Sequence, residues 1–264
     1  MSRSDLAESV TALAEVMTRL RRECPWDRVQ THASLRRYLL EEAYEVLEAL
    51  DADDPEALRG ELGDLLFQIW FHAEIASEPR GLGFDLVEVL DGVREKLVRR
   101  HPHVFAAEEA ASGEEVQRNW ERRKLDEGRR SRLDGIPAAL PALLRAHTLQ
   151  RKAAAVGFDW PDVEGAIAKT REELEEFLEA RRESAGDEVG RRRVEAELGD
   201  LFFSLVNVAR KLDLDAEAAL LGTCRTFARR FAHVERGAAE SGRDLEDLDL
   251  AEMDALWDAA KRAE

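Results

Sequence analysis

Glu61-Leu62-Gly63-Asp64-Leu65, followed by Leu66-Phe67, returns about 136 residues later as Glu197-Leu198-Gly199-Asp200-Leu201, followed by Phe202-Phe203. In both copies an acidic pair sits three residues apart inside a Leu- and Phe-rich run, a spacing that puts both carboxylates on one face of a helix. An ExxE pair precedes each copy, Glu42 and Glu45 in the first half and Glu173 and Glu176 in the second. Two packed helices of this kind aim four carboxylates at one point. Like charges so close repel unless a cation lies between them, so the pattern asks for a divalent metal.

Working outward, helical spacing dominates and strand signals are nearly absent. Leu6, Leu13, Val16, Met17 and Leu20 form one stripe, interrupted at Pro25-Trp26-Asp27. A second helix is predicted from about Ser34 to Leu50, with Leu35, Leu39, Ala43, Val46, Leu47 and Leu50 facing a core. Asp53-Asp54-Pro55 reads as a helix start, and the helix that follows, carrying Leu58, Leu62, Leu65, Leu66, Ile69 and Phe71, reaches Ala76. A fourth runs from about Asp85 to Arg100. Residues 106–113 read as a loop, 116–127 as a helix and 128–141 as a polar linker. The order then repeats with helices predicted at 142–156, 163–182, 189–212, 216–240 and 250–262. The expected fold is all-α, a tandem repeat of two helical bundles spanning 1–127 and 142–264.

Bulk properties narrow the function. Lys and Arg number 39 against 56 Asp and Glu, a formal net charge of −17. That argues against a nucleic-acid polymer as partner, which needs clustered cations to neutralise phosphates. Two cysteines, Cys24 and Cys224, make no disulfide framework. No apolar signal core opens the chain and no run is long enough to span a membrane, so a soluble, cytoplasmic protein is expected.

The quartets Glu42, Glu45, Glu61, Asp64 and Glu173, Glu176, Glu197, Asp200 sit among apolar residues, where unpaired carboxylates are costly. Gly63 and Gly199 each cost roughly 1 kcal/mol relative to Ala inside a helix, and their recurrence suggests close approach of a helix or ligand. An all-carboxylate donor set favours Mg²⁺, with Mn²⁺ the alternative. A di-iron bundle would bring a Glu-x-x-His pair, which is missing here.

Downstream, Lys96 and Arg100, four residues apart, suit successive phosphates; Arg100 aligns with Arg230, and Lys96 with Thr226. Trp120 and Lys124 align with Trp257 and Lys261, an aromatic and a cation one turn apart that suit a base. Each Trp reads equally well as ordinary helix packing. Arg191-Arg192-Arg193 suits either an anionic ligand or a solvated face. Carboxylates, phosphate cations and a base platform in one repeat describe a nucleoside triphosphate site, and no GxxxxGK[ST] loop is present.

Cys24-Pro25-Trp26-Asp27, Leu40-Glu41-Glu42-Ala43-Tyr44-Glu45, Glu61-Leu62-Gly63-Asp64, Arg99-Arg100-His101-Pro102-His103-Val104-Phe105 and Val156-Gly157-Phe158-Asp159-Trp160 together resemble the MazG family of nucleoside triphosphate pyrophosphohydrolases. The resemblance spans essentially the whole chain, in order. It implies tandem all-α domains, a homodimer, and conversion of a nucleoside or deoxynucleoside triphosphate to the monophosphate and pyrophosphate, with broad base specificity. It carries metal ligands onto Glu173, Glu176, Glu197 and Asp200, and nucleotide contacts onto Lys169, Arg193, Arg230 and Trp257. Glu172, or Glu41 in the first half, is then a candidate base, and Arg230 neutralises the leaving group. The sequence departs from the family where a phosphate-gripping Lys is Thr226 and an Asn is Cys224. Rival readings are a narrower dUTP, dCTP or phosphoribosyl-ATP pyrophosphohydrolase, and a nucleotide-sensing or metal-binding bundle without turnover.

Overall fold

The structure, a computed structural model, describes residues 2–106, 116 and 131–263. The expected helix at 116–127, the loop at 106–113 and the candidates Trp120 and Lys124 therefore fall wholly or largely outside the described residues. Among these, regular structure is helical, with no strand. The chain divides into two compact units, Met1–Ala111 and Ser112–Glu264.

In the first unit α1 (Arg3–Glu23) leads through a 3-10 turn at Asp27–Val29 into α2 (His32–Asp51), α3 (Pro55–Ser77), α4 (Leu86–Arg100) and the short α5 (Pro102–Phe105). Local chemistry sets these boundaries. Thr31 and Ser34 form a reciprocal capping box that starts α2 two residues before the apolar pattern does. Asp54 caps α3 with Pro55 at its first position, and Asp85 and Glu88 cap α4. Each such cap contributes about 1 kcal/mol.

The second unit follows the same order: α6 (Ala142–Ala154), α7 (Val163–Glu183), α8 (Glu188–Lys211), α9 (Ala216–Glu240) and α10 (Leu250–Arg262). Asp162, Asp187, Asp215 and Asp249 cap α7 to α10.

The dominant packing in each unit is a hairpin, α2 on α3 and α7 on α8. In the first, Met17, Leu35, Trp70, Phe71 and Ile75 make the core. Arg21 ties the connecting loop to the end of α3, pairing with Glu78 at 2.5 Å and donating to the carbonyl oxygens of Asp27 and Gln30. The expected core stripe of α2 and α3 is only partly internal. Leu47, Leu50, Leu62, Leu66 and Ile69 are each 44–53% exposed. A two-helix hairpin buries one stripe of each helix, and these residues lie on another. Gly63 and Gly199 also differ from expectation, because a Cβ built on either meets nothing within 4 Å; no neighbouring helix needs their lack of a side chain. Among the described residues no helix is long and apolar enough to cross a membrane. Cys24 and Cys224 are both free.

Candidate metal and nucleotide site

Glu173 and Glu176 project from α7 toward Glu197 on α8, and one carboxylate oxygen from each lies within 4.8 Å of the others. Glu173 is 7% exposed and Glu197 half-buried, while Glu176 stays open to solvent. Desolvation pushes the Glu176 carboxyl above its ordinary value, and the nearby Glu173 and Glu172 add to this against the opposing Lys169. Lys169 Nζ bridges Glu172 and Glu173 at 2.8 Å each, and those carboxylates hold its ammonium far up the scale. The fourth expected ligand, Asp200, is exposed one turn beyond Glu197 and stands outside the triad.

The first unit repeats the geometry with Glu42, Glu45 and Glu61, again within 4.8 Å. Burial raises the Glu42 carboxyl, and the charges of Asp64, Glu45 and Glu61 raise it further. Asp64 is thus close enough to act on Glu42 without joining the triad. In the aligned sequence Tyr38 takes the place of Lys169, and Ala57 that of Arg193. The two triads share a shape and differ in the cations around them.

The remaining candidates fall into place unevenly. Arg230 sits over the Trp257 ring, 5.7 Å from its centroid, and Phe227 packs on the same ring at 5.1 Å. That face of the indole therefore carries a guanidinium. Lys261 pairs with Asp258 at 3.2 Å. Arg193 reaches Glu183 at 2.6 Å across the α7–α8 turn, and Arg192 pairs with Glu188 one turn back. Arg192 and Arg193 of the run thus make local ion pairs at the start of α8. Thr226 is half-buried one turn before Arg230, Lys96 is half-buried on α4, and Arg100 is 8% exposed.

Sequence reading assigned no role to two further features. His32 and His72 share an Nδ1···Nδ1 hydrogen bond of 2.8 Å, and a cavity in the second unit is lined in part by Gln150, Asn207 and Arg210. The second had a visible signal: Asp200, Phe203, Asn207 and Arg210 recur at helical spacing on α8.

The donor set suits a hard divalent cation. Three oxygens from three carboxylates converge, no His or Cys among the described residues joins them, and in the second unit an ammonium already lies against two of the acids around the triad. Such sites hold Mg²⁺ through a few carboxylates and leave positions for substrate phosphates.

Residues 30–105 match the MazG nucleotide pyrophosphohydrolase domain. The chain is 42% identical over 262 residues to a nucleoside triphosphate pyrophosphohydrolase of Escherichia coli (strain K12), covering 97% of this chain and 98% of that one. It is also 42% identical over 254 residues to the nucleoside triphosphate pyrophosphohydrolase/pyrophosphatase MazG of Thermotoga maritima, covering 94% of each. Near-complete coverage of both chains at this identity, over a helical fold with paired ExxE and ELGD motifs, shows that the chain belongs to the MazG family of nucleotide pyrophosphohydrolases.

Proposed function

We propose that the chain hydrolyses nucleoside and deoxynucleoside triphosphates to the monophosphate and pyrophosphate, with little base discrimination, at a Mg²⁺ site in the second unit. The observation that carries this reading is the convergence of Glu173, Glu176 and Glu197 beside a lysine that can pass from carboxylate to phosphate. Mn²⁺ would satisfy the same oxygens. When bound, the ion would neutralise phosphate oxygens and ease deprotonation of a water.

The chain's own residues do the rest. Glu173, Glu176 and Glu197 hold the cation, with Asp200 one turn along α8 to complete the set. Lys169, displaced from both Glu172 and Glu173, takes a phosphate oxygen. Glu172 is thereby freed as an acceptor for the proton of the attacking water, whose oxygen bonds to the α-phosphorus as the bond to the β-phosphate oxygen breaks. Arg230, backed by Trp257 and assisted by Arg193, neutralises the charge on departing pyrophosphate. In the first unit, Glu42, Glu45, Glu61 and Asp64 with Lys96 and Arg100 make a related set without the counterparts of Lys169 and Arg193.

We further assign a homodimer, supported by the exposed apolar residues of α2 and α3, and a cytoplasmic location, supported by two free cysteines. The deciding experiment is pyrophosphate release from the common ribo- and deoxyribonucleoside triphosphates, comparing wild type with Glu61→Gln and Glu197→Gln. Loss in Glu197→Gln alone is expected, with helical content retained. Full activity in Glu197→Gln would overturn the assignment.

A further inference from the structure

The internal repeat supplies its own control for the cavity. Aligned on ELGD, Phe67 and Phe71 of α3 correspond to Phe203 and Asn207 of α8, and matching Trp26-Asp27 to Phe158-Asp159 pairs Trp26 of the first unit with Phe158 of the second. In the first unit these positions are filled. Trp26 packs on Phe71 at 6.4 Å and on Tyr38 at 5.8 Å, and Phe71 is 1% exposed. In the second, Asn207 replaces the phenyl ring and Phe158 stands 83% exposed, leaving a cavity of about 580 Å³ beside both. Ligand pockets fall in this size range.

Its walls are aromatic, its polar groups few and incompletely used. Trp160 lies against Gly165, where a Cβ would come within 2.8 Å of the ring, so that glycine fixes one wall. Gln150 is 7% exposed; its Nε2 donates to the Phe203 carbonyl at 2.7 Å, which leaves Oε1 buried without a partner. Arg210 pairs with Asp159 and donates to Asn207 Oδ1 at 2.7 Å, yet its Nε is buried and unpartnered. The Asn207 oxygen is thereby used and its amide nitrogen remains a donor. An orphaned polar atom in a protein interior asks for an explanation, and here a buried acceptor, Gln150 Oε1, and a buried donor, Arg210 Nε, belong to two residues of one cavity.

Position supplies the last element. Asp200, Phe203, Asn207 and Arg210 follow one another by three, four and three residues along a single stripe of α8. At 1.5 Å per residue, Asn207 lies about 10 Å along the axis from Asp200, a span that sugar and α-phosphate can bridge.

We propose that this cavity receives the heteroaromatic base of the substrate, with Phe158, Trp160 and Phe203 as apolar walls and Gln150 and Asn207 reading the base edge. In the first unit Phe71 and Trp26, in ring contact with each other, occupy the corresponding places. Every nucleobase pairing edge carries both a donor and an acceptor, so an amide pair of this kind admits several bases. The inference rests on the pyrophosphohydrolase reading for its substrate, and its test is separable.

Nucleosides lacking any phosphate are the probe. Equilibrium dialysis of the full chain against adenosine, guanosine, cytidine and uridine, with chelator present, isolates the base site from the carboxylates. Saturable binding of at least one nucleoside, one per chain, is expected. Asn207→Phe, which copies the first unit, should weaken it by about tenfold or more, and Glu197→Gln should leave it unchanged. Gln150→Met serves as the second variant should Asn207→Phe fail to fold. Nucleoside binding without hydrolysis of any triphosphate would uphold the cavity and sink the catalytic reading. No nucleoside binding at millimolar concentration, or unchanged binding in both folded variants, would overturn the cavity assignment while leaving hydrolysis standing. A change of association state in Asn207→Phe would also overturn it, making the cavity an interface between copies.

Discussion

The ammonium of Lys169 lies 2.8 Å from a carboxylate oxygen of Glu173, the most buried acid of the second triad. One turn of α7 separates the two residues, so the pair forms without help from any other element. The ammonium relieves acidic repulsion in the absence of a metal, and would have to yield were one to bind. Two opposed consequences follow for one substitution. Lys169→Met should bind Mg²⁺ more tightly than wild type, because the ion no longer competes with an internal cation. It should also lose about 10- to 100-fold in kcat/KM, the worth of a charged hydrogen bond to phosphate. Calorimetric Mg²⁺ titration beside steady-state pyrophosphate release checks both; weaker Mg²⁺ binding would show that the lysine holds the acids in place.

Thr226 bears on the cations of α9. It is half-buried one turn before Arg230 on α9, and Arg230 is held against Trp257. A lysine there would add a second cation one turn from the first. Thr226→Lys should raise kcat/KM by about tenfold, whereas Thr226→Val should change it little. If Thr226→Lys has no effect, α9 does not face the triphosphate at this turn.

The long helices of the described residues and both carboxylate triads were legible in the sequence because caps and periodicity are local. Asp54 with Pro55 marks the start of α3, and ExxE and ExxD spacings put paired acids on shared faces. The start of α2 was placed late because its signal was the apolar pattern, while the capping box at Thr31 and Ser34 acts two residues earlier. Leu47, Leu62 and Leu66 read as core because a leucine stripe records burial without saying by which chain. Asn207 was passed over for the converse reason. One polar residue in an apolar helix acquires meaning only when its aligned partner, Phe71, is seen filling the same space.

That ambiguity of the leucines has a test. Leu40, Tyr44 and Leu47 on α2 and Leu62, Leu66 and Ile69 on α3 recur every three or four residues and are each at least 44% exposed. Apolar stripes so arranged are a usual mark of an interface. A charge placed there would remain solvated in a monomer and be buried in a dimer. Leu66→Glu should therefore shift sedimentation from dimer to monomer while leaving helical content intact. A monomeric wild type would remove the homodimer assignment altogether.

The histidine pair of the first unit predicts a pH response with a defined sign. His32 Nδ1 and His72 Nδ1 lie 2.8 Å apart, and both Nε2 atoms are buried without partners. Desolvation, with the neighbouring His32 adding to it, holds His72 below its ordinary value of 6.5. The folded chain thus resists a proton that the unfolded chain accepts, so His72 contributes stability above about pH 6.5 that is lost as the pH falls toward the folded value. Glu42 acts in the opposite sense. Its carboxyl is raised by burial and by Asp64, Glu45 and Glu61, so its protonation on acidification favours the fold. Comparing wild type with His72→Gln separates the two. Between pH 7 and pH 5.5 the wild-type melting temperature should fall more steeply than that of the variant, and parallel slopes would show that the pair is protonated equally in both states.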